Sequence, residues 1–119
     1  MNYKQYELYW VDLNPVKWSE QSWIRPCVIL QTNAVSDLWN TTIIAILTTK
    51  KLDRVYPYEI LLEKNNDFWI NELSKIKLDQ IRVIDKSRIL EKIWFIWDKN
   101  IQNNIIESIK IIFDVDKNF

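Results

Sequence analysis

The 119-residue chain contains no glycine and no histidine, and only one cysteine. Each absence closes off chemistry. Without histidine there is no Ser-His-Asp or Cys-His nucleophilic machinery, no imidazole acid or base poised near neutral pH, and few ways to build a zinc site. With Cys27 alone there is no intrachain disulfide and no cysteine-rich metal centre. The 16 lysines and arginines are matched by 16 acidic residues, so no global basic field announces a nucleic acid, although a local groove of Arg and Lys is still allowed. Apolar runs are short, IIAIL at 43–47 being typical, and none approaches the ~20 residues of a membrane-spanning helix. The first ten residues, MNYKQYELYW, lack the basic-then-apolar order of a secretory signal. A cytoplasmic location with no membrane partner is therefore expected.

The missing glycine is the strangest of these features. At an average usage of about 7%, roughly eight glycines would be expected, and turns that need φ > 0 normally take them. What is abundant instead is tryptophan, with seven. Two of them, Trp18 and Trp23, lie in the loop-like stretch PVKWSEQSWIRP (15–26). Turn chemistry there favours Gly, Asn, Asp, Ser or Pro.

Hydrophobic patterning divides the chain into five or six strands and one helix, within a single domain spanning 1–119. Residues 3–13 (YKQYELYWVDL) alternate in part and are rich in aromatics, a strand that Asn14-Pro15 ends. IRPCVILQ (24–31) and TTIIAILTT (41–49) are β-branched apolar strands separated by the turn-like TNAVSDLWN (32–40). The charged KKLDRVYP (50–57) leads into a fourth strand, YEILLEK (58–64). SKIKLDQIRVID (74–85) alternates, which places Ile76, Leu78, Gln80 and Arg82 on one parity and sets Gln80 beside Arg82 on one sheet face. DKSR (85–88) reads as a helical turn and ILEKIWFI (89–96) as a sixth strand. Asp98 can cap a helix through 113, with Ile101, Ile105, Ile109 and Ile112 as its apolar stripe. The predicted fold class is mainly β with α, a small, strongly bent SH3-like β-barrel closed by a C-terminal helix.

The ordered blocks YWVDLNP (9–15), SEQ (19–21), IRPCVILQ (24–31), NTTIIAILTT (40–49) and LDQIRVIDKSRI (78–89) resemble the MazF/PemK family, the toxin halves of bacterial toxin–antitoxin pairs. The likeness runs over nearly the whole chain, and five blocks in the right order are far more specific than any one alone. It implies the barrel shared by CcdB and PemK. It also implies a sequence-specific endoribonuclease acting on single-stranded mRNA without a metal or cofactor, leaving 2′,3′-cyclic phosphate and 5′-OH ends. In that family the loop reads Lys-Gly-Ser-Glu-Gln-x-Gly-x-Arg-Pro. Here Trp18 and Trp23 occupy the two glycine places, and Trp69 and Trp94 stand where the family also has glycine. Either the gene's UGA codons are read as glycine, or these turns have drifted.

The resemblance assigns candidate site residues. Arg25 matches the Arg of the Arg-Pro motif, and its guanidinium can hold two phosphate oxygens at once. The family role includes proton transfer, but a group with a pKa above ~12 suits charge stabilisation better. Thr48 matches the family's threonine and could donate its hydroxyl to a phosphate oxygen; read without the resemblance, it is an ordinary strand threonine. Ser19, Glu20 and Gln21 match the RNA-contacting loop, and Glu20, already deprotonated at neutral pH, is an alternative base. Gln80 and Arg82 match the Gln-Ile-Arg motif, suited to a base edge and a phosphate. Lys17, Lys50 and Lys51 extend a basic rim, and Tyr56 and Tyr58 are stacking platforms or plain packing.

The partners implied are single-stranded RNA, a second copy in a homodimer, and a cognate antitoxin whose acidic, disordered segment anchors on Arg25 and Arg82. Two other readings stand beside the nuclease. One is a CcdB-type gyrase inhibitor of the same fold, against which Arg25, Thr48 and the Gln80–Arg82 pair argue. The other is a catalytically inactive relative that binds RNA or antitoxin, because tryptophan beside Arg25 could close the groove.

Overall fold

A computed structural model of the chain describes residues 2–15, 23–63 and 72–115. The elements are β1 (Glu7–Asp12), β2 (Ile24–Ile29), a single-turn helix α1 (Asn33–Ser36), β3 (Thr41–Thr48), β4 (Glu59–Leu62), β5 (Ser74–Asp85), a 3₁₀ turn (Lys86–Arg88), β6 (Ile89–Phe95) and α2 (Lys99–Phe113). All listed pairings are antiparallel and join one six-stranded sheet in the order β4-β5-β3-β2-β1-β6. The mainly-β expectation with a C-terminal helix is met. Closure into a full barrel is not part of this pairing, which leaves β4 and β6 at the two ends of the sheet.

Strand alternation splits the apolar residues between two clusters. Val28, Ala45, Leu47, Ile76 and Leu78 turn to one side and pack with Ile96 and Ile105; the helical stripe Ile101, Ile109 and Ile112 covers them. Tyr9, Val11, Cys27, Ile29, Ile44 and Ile84 turn to the other. Fully burying an isoleucine of this kind contributes about 1.5–3 kcal/mol, which is why the helix docks on the first cluster.

The ends of α2 follow from local chemistry. The Asp98 carboxylate accepts from the Asn100 and Ile101 amides, and Asp114 closes the helix in the left-handed conformation with φ 51°. The Gln102 side chain donates to the Ile96 carbonyl at 2.7 Å, fixing the helix on the end of β6. TNAVSDLWN differs from the expected plain turn by containing α1, whose buried Ser36 donates its hydroxyl to Thr42 at 3.0 Å.

Strict alternation fails in β5. Ile76 and Leu78 enter the helix-side cluster, yet Ile81 packs there as well. The pairing with β3 shifts register between Ala45 and Ile46, whose partners are Ile81 and Lys77. This irregularity changes the strand's phase, so Arg82, opposite Ile44, faces the other way from Ile76 and Leu78. The expected single parity for Ile76, Leu78, Gln80 and Arg82 is thereby corrected. Gln80 is exposed within the shifted stretch.

The other positive-φ residues among those described are Tyr6 and Lys51. None of the described tryptophans is among them, so Trp23, Trp39, Trp94 and Trp97 do not occupy backbone that calls for glycine. Trp94 packs against the helix-side cluster. Trp18 and Trp69 lie outside the described residues. No described helix is long and apolar enough to cross a membrane.

Candidate functional site

The site grows from the outer ends of β2 and β3. Cys27, Val28 and Ile29 pair with Ile46, Ala45 and Ile44. The same register, carried two residues further along both strands, sets Arg25 across from Thr48. Residues directly opposed on antiparallel strands share a face, and alternation places Arg25 on the side of Cys27 and Thr48 on the side of Ile44 and Ile46. Arg82, opposite Ile44, joins them on that side. Its charge also reaches Cys27: burial pushes the thiol up to about 12, and the Arg82 guanidinium opposes that rise.

Each of these groups is held ready rather than spent. Arg25 is exposed, and its Nη1 donates to the Ile24 carbonyl at 2.8 Å, a solvent-facing bond that an anion can replace. The Thr48 hydroxyl oxygen accepts from the Lys50 amide at 3.1 Å, which directs its own proton elsewhere and leaves it available to donate. The Arg82 guanidinium lies 5.6 Å from the centre of the Trp23 ring, a cation–π contact that fixes its direction. Two arginines and a hydroxyl donor at one open sheet end form an arrangement able to bind a phosphodiester and stabilise added negative charge.

The base of the 16–22 segment is closely tied. The Leu13 amide donates to the Trp23 carbonyl at 2.9 Å, and the Trp23 amide donates to the buried Asn14 side chain at 3.2 Å. Arg88, on the 3₁₀ turn, donates through Nη1 to the carbonyls of Asp12 and Asn14 at 3.1 and 2.7 Å. The sequence motif DKSRI contained this clamp, but its target was not legible. The expected site residues Ser19, Glu20 and Gln21, with Lys17, lie outside the described residues.

A second group on the same face escaped sequence reasoning. Glu59, Lys75 and Lys77 make buried ion pairs, Lys75 Nζ and Lys77 Nζ lying 3.0 and 3.2 Å from the Glu59 carboxylate. Burial alone would raise the Glu59 pKa, but hydrogen bonds from the Tyr56 amide and the two ammonium groups outweigh it and hold the carboxyl below its usual range. The only signal was the alternation of Lys75 and Lys77 with Ile76 and Leu78, which reads as an ordinary solvated face. Elsewhere, Trp10, Ile24, Leu90 and Glu91 line a shallow groove of about 430 Å³ in which Arg25, Thr48 and Arg82 take no part. Among the described residues no cluster of His, Cys, Asp or Glu could hold a metal ion.

Comparison with known proteins agrees with this architecture. Residues 4–113 match the sequence family described as PemK-like, MazF-like toxin of type II toxin-antitoxin system. Endoribonuclease MazF of Staphylococcus saprophyticus is 36% identical over 103 residues, 85% of this chain and 85% of that protein. Among solved structures, a mycobacterial endoribonuclease in complex with its cognate antitoxin superposes with TM-score 0.74 at 16% identity, covering 93% of this chain and 94% of that one. MazF of Deinococcus radiodurans gives 0.73 at 17% identity over 96% and 98%. The ordered strands, the capping helix and the end-to-end match agree: this chain belongs to the PemK-like, MazF-like family of toxins of type II toxin–antitoxin systems.

Proposed function

We propose that the protein is the toxin of a toxin–antitoxin pair and acts as a metal-independent, sequence-specific endoribonuclease on single-stranded mRNA. The observation that carries this reading is the convergence of Arg25, Thr48 and Arg82 on one sheet face, in a chain 36% identical to an endoribonuclease MazF. In the proposed reaction the ribose 2′-oxygen loses its proton and bonds to phosphorus. The P–O5′ bond breaks, and the departing oxygen takes up a proton, leaving 2′,3′-cyclic phosphate and 5′-OH ends. Arg25 stabilises the charge that grows on the phosphorane, and Thr48 donates its hydroxyl to a phosphate oxygen. Glu20, a carboxylate already ionised at neutral pH, is suited to accept the 2′-OH proton. Arg82 and Gln80 hold the flanking strand, with Ser19 and Gln21 contacting it from the loop.

The same reading makes the protein a cytoplasmic homodimer whose groove is blocked by an antitoxin. A related endoribonuclease was solved with its cognate antitoxin, and acidic side chains on such a segment would pair with Arg25 and Arg82. Cleavage of a single-stranded RNA in EDTA tests the activity. Undiminished cutting is expected from the wild type and a loss of at least about a hundredfold from Arg25→Ala. Activity abolished by chelation, or unchanged in the variant, would overturn the mechanism. Exposure of Trp23 beside Arg25 favours an open groove over an inactive, closed one.

A further inference from the structure

Lys75 of β5 pairs with Thr48 of β3 on one side and Leu61 of β4 on the other. Its side chain therefore belongs to the Thr48 face. It is only 3% exposed, and its ammonium has three acceptors: the Lys51 carbonyl at 2.9 Å, the Arg54 carbonyl at 3.0 Å and Glu59 Oε1 at 3.0 Å. An ammonium has three donors, so this one is fully used. Glu59, whose side chain is 1% exposed, also accepts the Tyr56 amide at 3.0 Å. The Ser108 hydroxyl of α2 donates to the Pro57 carbonyl at 3.2 Å, and the Lys50 amide goes to Thr48. Side chains from outside the 50–57 segment thus hold its backbone at Lys50, Lys51, Arg54, Tyr56 and Pro57.

That segment needs holding. Lys51 sits at φ 55°, left-handed backbone that glycine would occupy more easily, and the Lys75 ammonium binds its carbonyl. The segment presents a ladder, with the Arg54 guanidinium 4.9 Å from the Tyr56 ring centre and Tyr56 stacked on Tyr58 at 5.4 Å with 3° between planes. Stability alone does not account for a buried Lys–Glu pair, because well-packed apolar residues generally stabilise as much or more. An apolar pair could not bind the Lys51 and Arg54 carbonyls.

We propose that Lys75 is a positioning residue for RNA cleavage: its buried ammonium fixes the 50–57 segment so that Lys50, Lys51 and the Arg54–Tyr56–Tyr58 ladder sit in register with Thr48 and Arg25 along a single RNA strand. The proposal rests on the nuclease reading above and adds to it a residue that acts without touching substrate. The double substitution Lys75→Met with Glu59→Leu removes both buried charges and refills their volume. Its thermal midpoint is expected to stay within about 4 °C of the wild type. Amides 50–57 should exchange hydrogen about tenfold faster. A single-stranded oligonucleotide carrying 2′-deoxyriboses, which binds but cannot be cut, should bind about tenfold more weakly, with kcat/KM falling in step. A stable double variant with wild-type exchange and wild-type affinity for that oligonucleotide overturns the proposal, as does a wild type that does not bind it. If the variant fails to fold, the wild type decides: slowly exchanging Lys75 Nζ protons at neutral pH support the clamp, and rapid exchange with water refutes it. Faster loop exchange and weaker binding in the variant, beside a wild type that cuts no RNA, would refute the nuclease reading while supporting the positioning role.

Discussion

The clamp made by Arg88 offers the sharpest test of how the site's loop is held. One guanidinium nitrogen donates to the carbonyls of Asp12 and Asn14 at 3.1 and 2.7 Å, and Asn14 in turn accepts the Trp23 amide at 3.2 Å. Arg88→Ala removes both charged hydrogen bonds and leaves the two carbonyls to water. A hydrogen bond to a charged group contributes about 1.5–3 kcal/mol. A single shared nitrogen at a half-buried position reduces the pair to about 2 kcal/mol in total. With an unfolding entropy of about 2.1 cal/mol/K per residue, that loss lowers the thermal midpoint by roughly 8 °C. A domain with ordinary stability of about 5–15 kcal/mol remains folded at 25 °C after such a loss, so the effect on cleavage can be read separately. Both ends of the 16–22 segment then loosen, and kcat/KM for an RNA oligonucleotide should fall about tenfold or more through misplacement of Arg25. Arg88→Lys keeps the charge but not the planar fork and should recover about half the midpoint loss. Circular dichroism melts and a fluorescent cleavage assay in EDTA measure the two quantities. A lowered midpoint with undiminished kcat/KM would refute the positioning argument, and an unchanged midpoint would refute the stability argument.

Two further outcomes follow from the titrating groups. The Glu59 carboxyl is held below its ordinary value of 4.5, so it contributes stability above that value and loses it as pH falls through the lowered folded value. The difference in thermal midpoint between wild type and Glu59→Gln should therefore shrink as pH drops below about 4.5, and a difference constant from pH 7 to 3 would contradict this. Cys27 is fully buried and its thiol is pushed up to about 12. Alkylation at pH 8 should be more than about a hundredfold slower in the native protein than in urea, and equal rates would show that the β2–β3 core is open.

Local chemistry was readable where it decided the structure. Asp98 has a short carboxylate before an apolar stripe, and it caps the helix whose Ile101, Ile105, Ile109 and Ile112 dock as their spacing required. β-branched runs became β2 and β3 because such side chains fit a pleated, half-buried surface. Arg25 and Thr48 carry no signal of their own: a lone arginine at a strand start is commonplace, and only resemblance singled them out. The phase change in β5 was invisible because a bulge is set by the pairing with β3, not by the order of apolar residues. Lys75 was invisible for a related reason. In SKIKLDQ it reads as a solvated lysine, and only the loop folding over it supplies the carbonyls that make its burial tolerable.

The shifted stretch of β5 also has a consequence for how this protein can evolve. Because side-chain facing alternates along a strand, deleting one residue between Lys77 and Ile81 would restore a single rhythm and turn Arg82 towards the helix and Ile81 towards the open face. The bulge works as a splice between two independently written half-strands. Substitutions before it answer to the packing under α2, and those after it answer to whatever lies against Arg82. The length of this strand is therefore under tighter constraint than its composition. Relatives that preserve the spacing can rewrite either half without disturbing the other.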